Sequence, residues 1–203
     1  MTLLFDPARL SVAAALPAFA GFDMLDALIE DERVFDAPAR EALLDEAFGL
    51  DRAAKTSQRL RDGRLPAEGL ALVARDDGAL IGTLRCWNVK AGNRPAVLVG
   101  PVAVAKSHRS RGLGAALMRE ALWRAATRGH KAVLLVGDAP YYARFGFEAS
   151  LTRELDLPGP VDRERFLAFE IEGGALKGAS GMVTATGRIA RIASNARRLA
   201  RAA

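Results

Sequence analysis

The segment 102–118, VAVAKSHRSRGLGAALM, contains the residues whose types and spacing best suit a chemical task, the binding of a phosphate group. Backbone N–H groups at the start of a helix lack intrahelical acceptors, and together with the positive end of the helix dipole they bind anions. Gly112 and Gly114 leave room for an anion to approach the backbone, and Arg109 and Arg111 add positive charge. The segment therefore predicts a phosphate site at a strand–helix junction.

The spacing of these residues differs from two common phosphate-binding patterns. A dinucleotide-binding turn needs a third glycine three residues after Gly114, where Leu117 stands, and a P-loop needs Gly-Lys-Ser/Thr, which the segment lacks. The phosphate turn is thus of another kind. The alternative is a helix that merely begins with glycines and carries two solvated arginines.

The same segment resembles the acetyl-CoA motif of the GNAT superfamily of N-acetyltransferases. Arg109, Gly112 and Gly114 match the Arg/Gln-x-x-Gly-x-Gly/Ala pattern of that motif, and 102–104 match the strand that pairs with pantetheine in the family. A lone match to so short a pattern would be weak support. The second signature of the family strengthens it.

That second signature is a Tyr that lies four residues before a Gly-Phe pair. The run DAPYYARFGF at 138–147 is similar to it, and Tyr142 occupies the place of the tyrosine. The two signatures span 102–147, and weaker similarity of element order extends over 26–172. Both ends of the chain lie outside the resemblance.

The resemblance implies that acetyl-CoA is the acetyl donor and that an amine, on a small molecule or a protein, is the acceptor; no metal is expected. A neutral amine would attack the thioester directly in a ternary complex, with no protein nucleophile, and Tyr142 would give a proton to the departing thiolate. The alternative is a non-catalytic module that binds acetyl-CoA or a protein partner. The residues expected to contact the cofactor are Val102, Ala103, Val104, Arg109, Ser110, Arg111, Gly112, Leu113, Gly114 and Ala115.

The elements that must position these residues follow from the hydrophobic pattern. Two continuous β-rich runs, 96–104 and 132–136, flank a helix from about 112 to 128, which makes a parallel βαβ unit. Asp-Asp-Gly at 76–78 lies between two apolar runs and predicts an antiparallel hairpin. We therefore predict an α/β (α+β) chain with a mixed, mostly antiparallel central sheet, a splayed parallel strand pair and helices on both faces, the acyl-CoA N-acyltransferase fold.

Local signals predict the remaining elements. Gly100 and Pro101 indicate a bulge or a break in strand pairing. Asp36 is typical of a helix N-cap and Gly49 of a helix end. The further expectations, in chain order, are a strand within 26–34, a second helix and a loop in 51–67, a loop over 88–95, a short helix capped by Asp138, and strands near 147–155 and 166–172.

The domain organisation follows from these patterns. We expect an N-terminal extension at 1–25, one acetyltransferase domain at 26–173 and a basic, helical C-terminal tail at 174–203. The arginines of the tail could bind an anion or a membrane surface, although such tails more often pack on their own domain. Nucleic acid is not required as a partner, because much of the net charge of +5 lies in this tail.

Composition limits the other classes of function. Half of the 203 residues are hydrophobic, yet no stretch is apolar enough to span a bilayer, and the N-terminus lacks the basic start of a secretory signal. Cys86 is the only cysteine, so an intrachain disulfide is impossible and, with only two histidines, a structural zinc site is excluded. We expect a cytoplasmic protein, and a homodimer stays open.

Two questions about the chemistry stay open at this level. Cys86 could carry an acyl group, although a buried, inert thiol is the commoner case. Asp45, Glu46 and Asp51 could accept the proton of the amine, although solvated carboxylates on a helix face are the better interpretation, and no general base is assigned. The identity of the acceptor depends on 36–68 and the loop 155–165, and neither shows a motif.

Overall fold

The computed structural model describes residues 27–190, which form a central eight-stranded mixed sheet and three α-helices. The helices are α1 (Ala37–Phe48), α2 (Leu113–Thr127) and α3 (Ala139–Ala143). The strands are β1 (Leu28–Asp31), β2 (Ala71–Asp76), β3 (Ala79–Ala91), β4 (Arg94–Val104), β5 (Ala132–Val136), β6 (Leu155–Asp156), β7 (Phe166–Glu170) and β8 (Gly181–Ala185).

The main path through the sheet is β1-β2-β3-β4-β5-β7, and β8 joins the free edge of β3 beyond the end of β2. Along this path only β4 and β5 run parallel, and α2 connects them. This mixed, mostly antiparallel sheet confirms the predicted fold class. The short strand β6 pairs in parallel with β8 at the margin.

The parallel pair is splayed, as expected. Only two residue pairs join β4 to β5, Val97 with Val133 and Leu98 with Leu134. Beyond Leu98, β4 continues for six residues with no partner on this side among the described strands. The two strands therefore open a gap whose backbone edges are unpaired.

A β-bulge at Gly100 and Pro101 lies at the start of this gap, where the sequence predicted it. Between Val99 and Val102, β4 has one residue more than the stretch of β3 that it pairs with. Side chains alternate between the faces of a strand, so one extra residue exchanges the faces. As a result Val102 and Val104 contact the same core cluster as Val99, on the face that α2 covers.

The two faces of the sheet have separate cores. The apolar stripe of α2 is buried against β2 to β5 and consists of Leu113, Leu117, Met118, Ala121, Leu122 and Ala125. The opposite face packs on the segments from Leu151 to Ala185, and near the gap it packs on α1. Helices thus lie on both faces.

The start of α1 differs from the expectation in one detail. Asp36 precedes the helix and Gly49 ends it, but the Asp36 carboxylate does not cap the helix. It accepts hydrogen bonds from the Arg75 guanidinium (2.5 Å) and the Arg33 backbone N–H (2.8 Å). Burial opposes ionisation, yet these bonds prevail and lower the pKa of Asp36. The ion pair ties α1 to β2.

Three connections differ from the sequence predictions. The predicted helix in 51–67 is replaced by two 3-10 turns, Leu50–Ala54 and Thr56–Leu60, because Leu60 is the only side chain buried in them among those described.

The predicted loop at 88–95 is wrong, because β3 and β4 continue to a two-residue turn. Asn88 and Lys90 are simply the more exposed positions of an alternating strand. Over 147–155, pairing is limited to Glu148 with Ala168 and the start of β6.

The domain boundary expected at residue 173 does not agree with the structure. Residues 181–185 form β8, which pairs with both β3 and β6, and Val183 is buried in the core. The expected helical tail is therefore wrong over this stretch. The predicted N-terminal extension and the rest of the tail lie outside the described residues, apart from the edges 27 and 186–190.

Residues 27–190 lack two features that would indicate other functions. None of the helices there is both long and apolar enough to cross a bilayer. In the same range, no group of three or more His, Cys, Asp or Glu side chains is placed to hold a metal ion.

Candidate functional site

The gap between β4 and β5 is the mouth of a cavity of about 320 Å³. Its walls are 99–102 of β4 and 135–138, which run from β5 to the start of α3. Tyr142 on α3 closes one side. On the other side lie α1 and the two 3-10 turns that follow it.

A smaller cavity of about 210 Å³ continues from the gap toward the N-terminus of α2. Val104, Gly114 and Met118 line it, and it shares three residues with the larger cavity, namely Val102 and the tyrosines at 141 and 142. Tyr142 therefore lies where the two cavities meet. A group that enters from α2 and one that enters from α1 would meet beside its ring.

The turn before α2 has the geometry that the sequence predicted for a phosphate site. Ser110 (φ 62°) and Gly112 (φ 84°) both have left-handed backbone, which only Gly112 adopts without strain. The first bond of the helix runs from the Ala116 N–H to the Gly112 carbonyl, and no side chain of the described residues caps the helix. The N–H groups of 113–115 are therefore free to bind an anion.

The basic side chains of this turn have different surroundings. Arg109 folds back on β4, where its Nε donates to the Val104 carbonyl (3.0 Å), while Arg111 is exposed. His108 bridges the turn to the β2–β3 hairpin, since its Nε2 lies 2.9 Å from an Asp76 carboxylate oxygen. Arg109 and His108 thus help to shape the turn, and the direct contact predicted between Arg109 and the cofactor stays a prediction.

Three of the predicted contact residues turn their side chains inward. Leu113 and Ala115 are buried in the core that α2 forms with the sheet. Ala103 points to the other face of β4, where it packs on Leu43 and Leu44 of α1. Any contact of these residues with a cofactor would use their backbone, whereas Val102 and Val104 present side chains to the smaller cavity.

Gly114 keeps the smaller cavity open. A Cβ at this position would lie 3.4 Å from the Tyr141 hydroxyl and 3.7 Å from a methyl of Val104. It would thus extend into the space between β4 and α3. The two glycines of the motif differ in role, because a Cβ at Gly112 would meet nothing within 4 Å and the need for glycine there is conformational.

Tyr142 is packed tightly in the position predicted for the catalytic residue. Its ring contacts Phe147 edge-on, with centroids 6.0 Å apart. Opposite the ring, a Cβ at Gly137 would come within 2.2 Å of a ring carbon, so only glycine fits. Burial, with a smaller effect of Tyr141, raises the pKa of the Tyr142 phenol to about 12. The phenol is therefore protonated throughout the neutral range.

Tyr141 also lines both cavities, which the sequence analysis missed. Its ring meets that of Tyr142 edge-on at 5.0 Å, and the Arg144 guanidinium lies 4.5 Å from its centroid. The Asp138 side chain accepts a hydrogen bond from the Tyr141 N–H (3.2 Å) and so caps α3, as predicted. The available signal in the sequence was the pair of adjacent tyrosines at the start of a short helix, whose two rings could face the same gap.

Trp87 holds the bulge that opens the gap. Its indole Nε1 donates a 2.6 Å hydrogen bond to the Gly100 carbonyl, and its ring is nearly buried on β3. The sequence analysis gave it no part in the site. Because 100 and 101 line the larger cavity, Trp87 is a positioning residue for that wall.

The wall formed by α1 and the 3-10 turns is strongly basic, and sequence reasoning did not identify it. Arg52 lies within the first 3-10 turn, and Lys55 and Arg61 directly follow the first and the second turn. Arg165 reaches the cavity from the position before β7. Asp138 is the only carboxylate that lines the cavity among the described residues. The polar and basic composition of 51–67 was the available signal.

The other candidates for a chemical role lie outside both cavities. The Cys86 thiol is 1% exposed, and burial raises its pKa to about 12, so it is an inert thiol and not an acyl carrier. Asp45 accepts a 2.7 Å hydrogen bond from Arg52. Glu46 lies 3.7 Å from Lys106, and Asp51 is exposed. None of the three carboxylates lines a cavity that holds Tyr142.

Comparisons with known proteins identify the family of this chain. The family model described as Acetyltransferase (GNAT) domain matches residues 67–149. The protein named "Uncharacterized N-acetyltransferase YhbS" of Escherichia coli (strain K12) is 36% identical over 160 residues, which cover 77% of this chain and 94% of YhbS.

Solved structures show the same relationship. The crystal structure of YhbS from Escherichia coli in complex with CoA superposes with a TM-score of 0.68 at 35% identity, covering 79% of this chain and 89% of that one. A GNAT family acetyltransferase from Brucella melitensis in complex with acetyl-CoA gives a TM-score of 0.53 at 27% identity, covering 70% and 95%. By sequence and by fold, the chain belongs to the GNAT family of N-acetyltransferases.

Proposed function

We propose that this protein moves the acetyl group of acetyl-CoA to an amine by direct attack in a ternary complex. The observation that carries the proposal is the meeting of two cavities beside Tyr142. One leads to the helix N-terminus suited to phosphate, and the other leads to the basic wall. Donor and acceptor could thus reach one point from opposite sides. The two solved relatives in complex with CoA and acetyl-CoA support the choice of donor.

The donor would occupy the α2 side of the gap. Its pyrophosphate would bind the N–H groups at 113–115, and its pantetheine arm would pair with the free edge of β4 beyond Leu98. The thioester would then lie near Val102 and Tyr142, which both cavities share. In this arrangement the exposed Arg111 stays close to the phosphates.

The reaction needs no nucleophile from the protein. The lone pair of a neutral amine attacks the thioester carbonyl carbon, the C–S bond breaks, and the thiolate receives the phenolic proton of Tyr142. The proton released by the amine returns through water to the phenolate, so the products are the acetylated amine and CoA thiol. General acid catalysis of this kind contributes about 10²–10⁴-fold.

The raised pKa of Tyr142 is compatible with this role. In water a thiol with a pKa of about 8.5 would leave as a stable anion and take no proton from a much weaker acid. Burial raises the pKa of both groups, since it penalises either anion. Cys86 illustrates the effect, because its buried thiol has a pKa of about 12, close to that of the Tyr142 phenol. Burial of the CoA thiol beside Tyr142 would therefore narrow the difference between the two pKa values.

In the proposed reaction no side chain acts as a general base, and the positive charge of the basic wall has a similar effect on the amine. Positive charge beside the acceptor disfavours its ammonium form, so more of the bound amine is neutral. Arg61 and Arg165 supply such charge, and the one carboxylate of the lining, Asp138, is already hydrogen-bonded to the Tyr141 N–H.

The test is a turnover screen with acetyl-CoA and a broad library of amines, followed by CoA thiol release and by mass spectrometry of the products. We expect acetylated amine and CoA thiol in equal amounts for at least one acceptor class. The alternative, a non-catalytic module, predicts tight acetyl-CoA binding in calorimetry with no acetylated product from any amine. That result would overturn the proposed function.

A further inference from the structure

The larger cavity has an excess of positive charge on the side away from α2. Its lining includes four cationic side chains and one carboxylate: Arg52, Lys55, Arg61, Arg165 and Asp138. An excess of this kind inside a concave site attracts anions and raises their local concentration. These four cations differ in whether a carboxylate of the protein pairs with them.

Arg52 is neutralised by its neighbours. Its Nε donates to an Asp45 oxygen at 2.7 Å, and its other end pairs with Glu41. These contacts raise the pKa of Arg52 despite the opposing effect of burial. With two carboxylates around it, Arg52 contributes little net charge to the cavity.

Arg61, Lys55 and Arg165 are different, because no carboxylate of residues 27–190 lies within 4.0 Å of their charged atoms. The Lys55 ammonium sits 4.6 Å from the ring centroid of Phe48, and Arg165 makes only a long contact (3.4 Å) with the Gly137 carbonyl. These are weak or neutral partners. Three positive charges therefore face the cavity with no ion pair to a carboxylate of the described residues.

Arg61 is the most constrained of the three. Its Nε and one terminal nitrogen donate to the carbonyl and the hydroxyl of Ser57, at 3.1 and 2.6 Å, which orients the guanidinium and leaves the other terminal nitrogen without a hydrogen bond among the described residues. Burial lowers the pKa of Arg61 to about 10, against the opposing charge of Asp62 and with a smaller contribution from Arg52. Arg61 is partly buried and forms no ion pair with Asp62 or any other described carboxylate, a costly arrangement for a cation that a bound anion would relieve.

We propose that the acceptor is an amine that also carries an anionic group, a carboxylate or a phosphate, which binds Arg61 with Lys55 and Arg165 at the rim. This inference rests on the proposed function and names its acceptor class. A planar guanidinium held at one end can still give a charge-assisted hydrogen bond to either oxyanion. The amine would then point from Arg61 toward Tyr142.

The phosphates of the donor do not explain this charge. The turn suited to phosphate, 109–114, borders the smaller cavity through Gly114 and contributes nothing to the lining of the larger one. The two positive regions therefore lie on opposite sides of Tyr142. One suits the donor, and the other is available for the acceptor.

The test compares amines that differ only in the anion, with each rate corrected to the neutral fraction of the amine. One arm uses α-amino acids against their amides, and the other uses phosphoethanolamine against ethanolamine, so that the arms separate carboxylate from phosphate. We expect the anionic member of at least one arm to have the higher kcat/KM, by about tenfold or more, the size typical of a charge-assisted hydrogen bond. Equal kcat/KM values within both arms would overturn the inference.

Arg61→Gln is the matching variant, and Lys90→Gln is its control. Both remove one positive charge, but Lys90 is exposed and lies at the opposite end of β4 from the gap, where it pairs with Pro95. Arg61→Gln should lower kcat/KM for the anionic acceptor about tenfold more than for the neutral member, whose smaller loss reports the effect of the Arg61 charge on the amine. An equal loss of kcat/KM for the anionic and the neutral acceptor would mean that Arg61 stabilises the cavity wall and does not bind the anion.

A binding measurement separates failure of this inference from failure of the proposed function. Calorimetric titration of the CoA-loaded protein with an N-acetyl amino acid, its amide and N-acetylphosphoethanolamine needs no turnover. Arg61-dependent binding of an anionic ligand without acetyl transfer would refute the enzyme and keep the anion site. Transfer to amines with no anion preference and no Arg61 dependence would refute the anion site and keep the enzyme.

Discussion

The two cavities that meet at Tyr142 are built in different ways. On the donor side, free backbone edges and the apolar side chains of Val102 and Val104 form the lining, and glycine leaves the space. On the acceptor side, charged side chains project from 3-10 turns and from the start of β7. Few sequences can form a site that is lined by backbone atoms, so its residues follow a recognisable pattern. A site that is lined by side chains on irregular turns has no regular pattern in the sequence. The donor side is therefore readable from the sequence and the acceptor side is not.

Gly114→Val should produce the largest change, because it fills the donor cavity. Its methyl groups would occupy the space between the Tyr141 hydroxyl and Val104, so acetyl-CoA affinity should fall about 100-fold or more, equivalent to about 2.7 kcal/mol. Calorimetric titration measures the loss. Gly173→Val is the control, since a Cβ there meets nothing within 4 Å and φ is ordinary. Unchanged affinity in Gly114→Val would remove this cavity from the donor path.

Gly137→Ala should affect chemistry more than binding. The new Cβ would overlap the Tyr142 ring, which must move, so we expect kcat to fall about tenfold, or by about 1.4 kcal/mol, with a small change in acetyl-CoA affinity. Steady-state kinetics and calorimetry together measure the two effects. In a Tyr142→Ala background the same substitution should cost little more, because the ring is gone. Additive losses in the double variant would show that Gly137 acts through another group.

Trp87→Phe should have a moderate effect on the wall that both substrates share. It keeps an aromatic ring in the core but removes the hydrogen bond to the Gly100 carbonyl, at a cost of about 1 kcal/mol of unfolding free energy. We also expect a higher KM for acetyl-CoA, since the bulge loses an anchor. Trp123→Phe, on the half-exposed face of α2, is the control. If both variants behave alike in denaturant titrations and kinetics, Trp87 has no positioning role.

The pH dependence of Tyr142 gives the smallest but cleanest signal. Because its pKa is raised from 10.0 to about 12, the phenol keeps its proton up to that range, and kcat should show no loss of the acid below pH ~11. The chain has two tyrosines, so the difference in phenolate absorbance between the wild type and Tyr142→Phe isolates this group. A Tyr142-dependent step at or below pH 10 would contradict the burial seen here.

Regular elements and their breaks could be predicted from the sequence. The bulge at Gly100 and Pro101, the helix start at Gly112 and the cap at Asp138 all follow from local backbone requirements, and the structure has each of them. These features are local because a proline, a left-handed glycine or a capping carboxylate acts on neighbours a few residues away. They shape the cavity that we propose for the donor.

The features that were missed depend on distant parts of the chain. β8 pairs with β3 across some ninety residues, and its short run of alternating residues gives no signal by itself. Arg61 and Arg165 are about a hundred positions apart in sequence, yet both line one cavity. The role of Gly137 is visible only once the Tyr142 ring is placed against it. Such relations exist only in the folded chain.

The proposed role of Tyr142 as the proton donor beside the two cavities is tested most directly by a comparison with Tyr141. Single-turnover acetyl transfer should be measured for Tyr142→Phe and Tyr141→Phe at saturating acetyl-CoA, with affinity followed by calorimetry. Both side chains line both cavities, so the pair controls for packing and charge.

We predict that Tyr142→Phe slows the chemical step about tenfold or more, at the lower margin of general acid catalysis, with acetyl-CoA affinity nearly unchanged. Tyr141→Phe should slow it far less. Full-rate chemistry in Tyr142→Phe across the pH range, or an equal loss in the two variants, would contradict the assignment of Tyr142 as the proton donor.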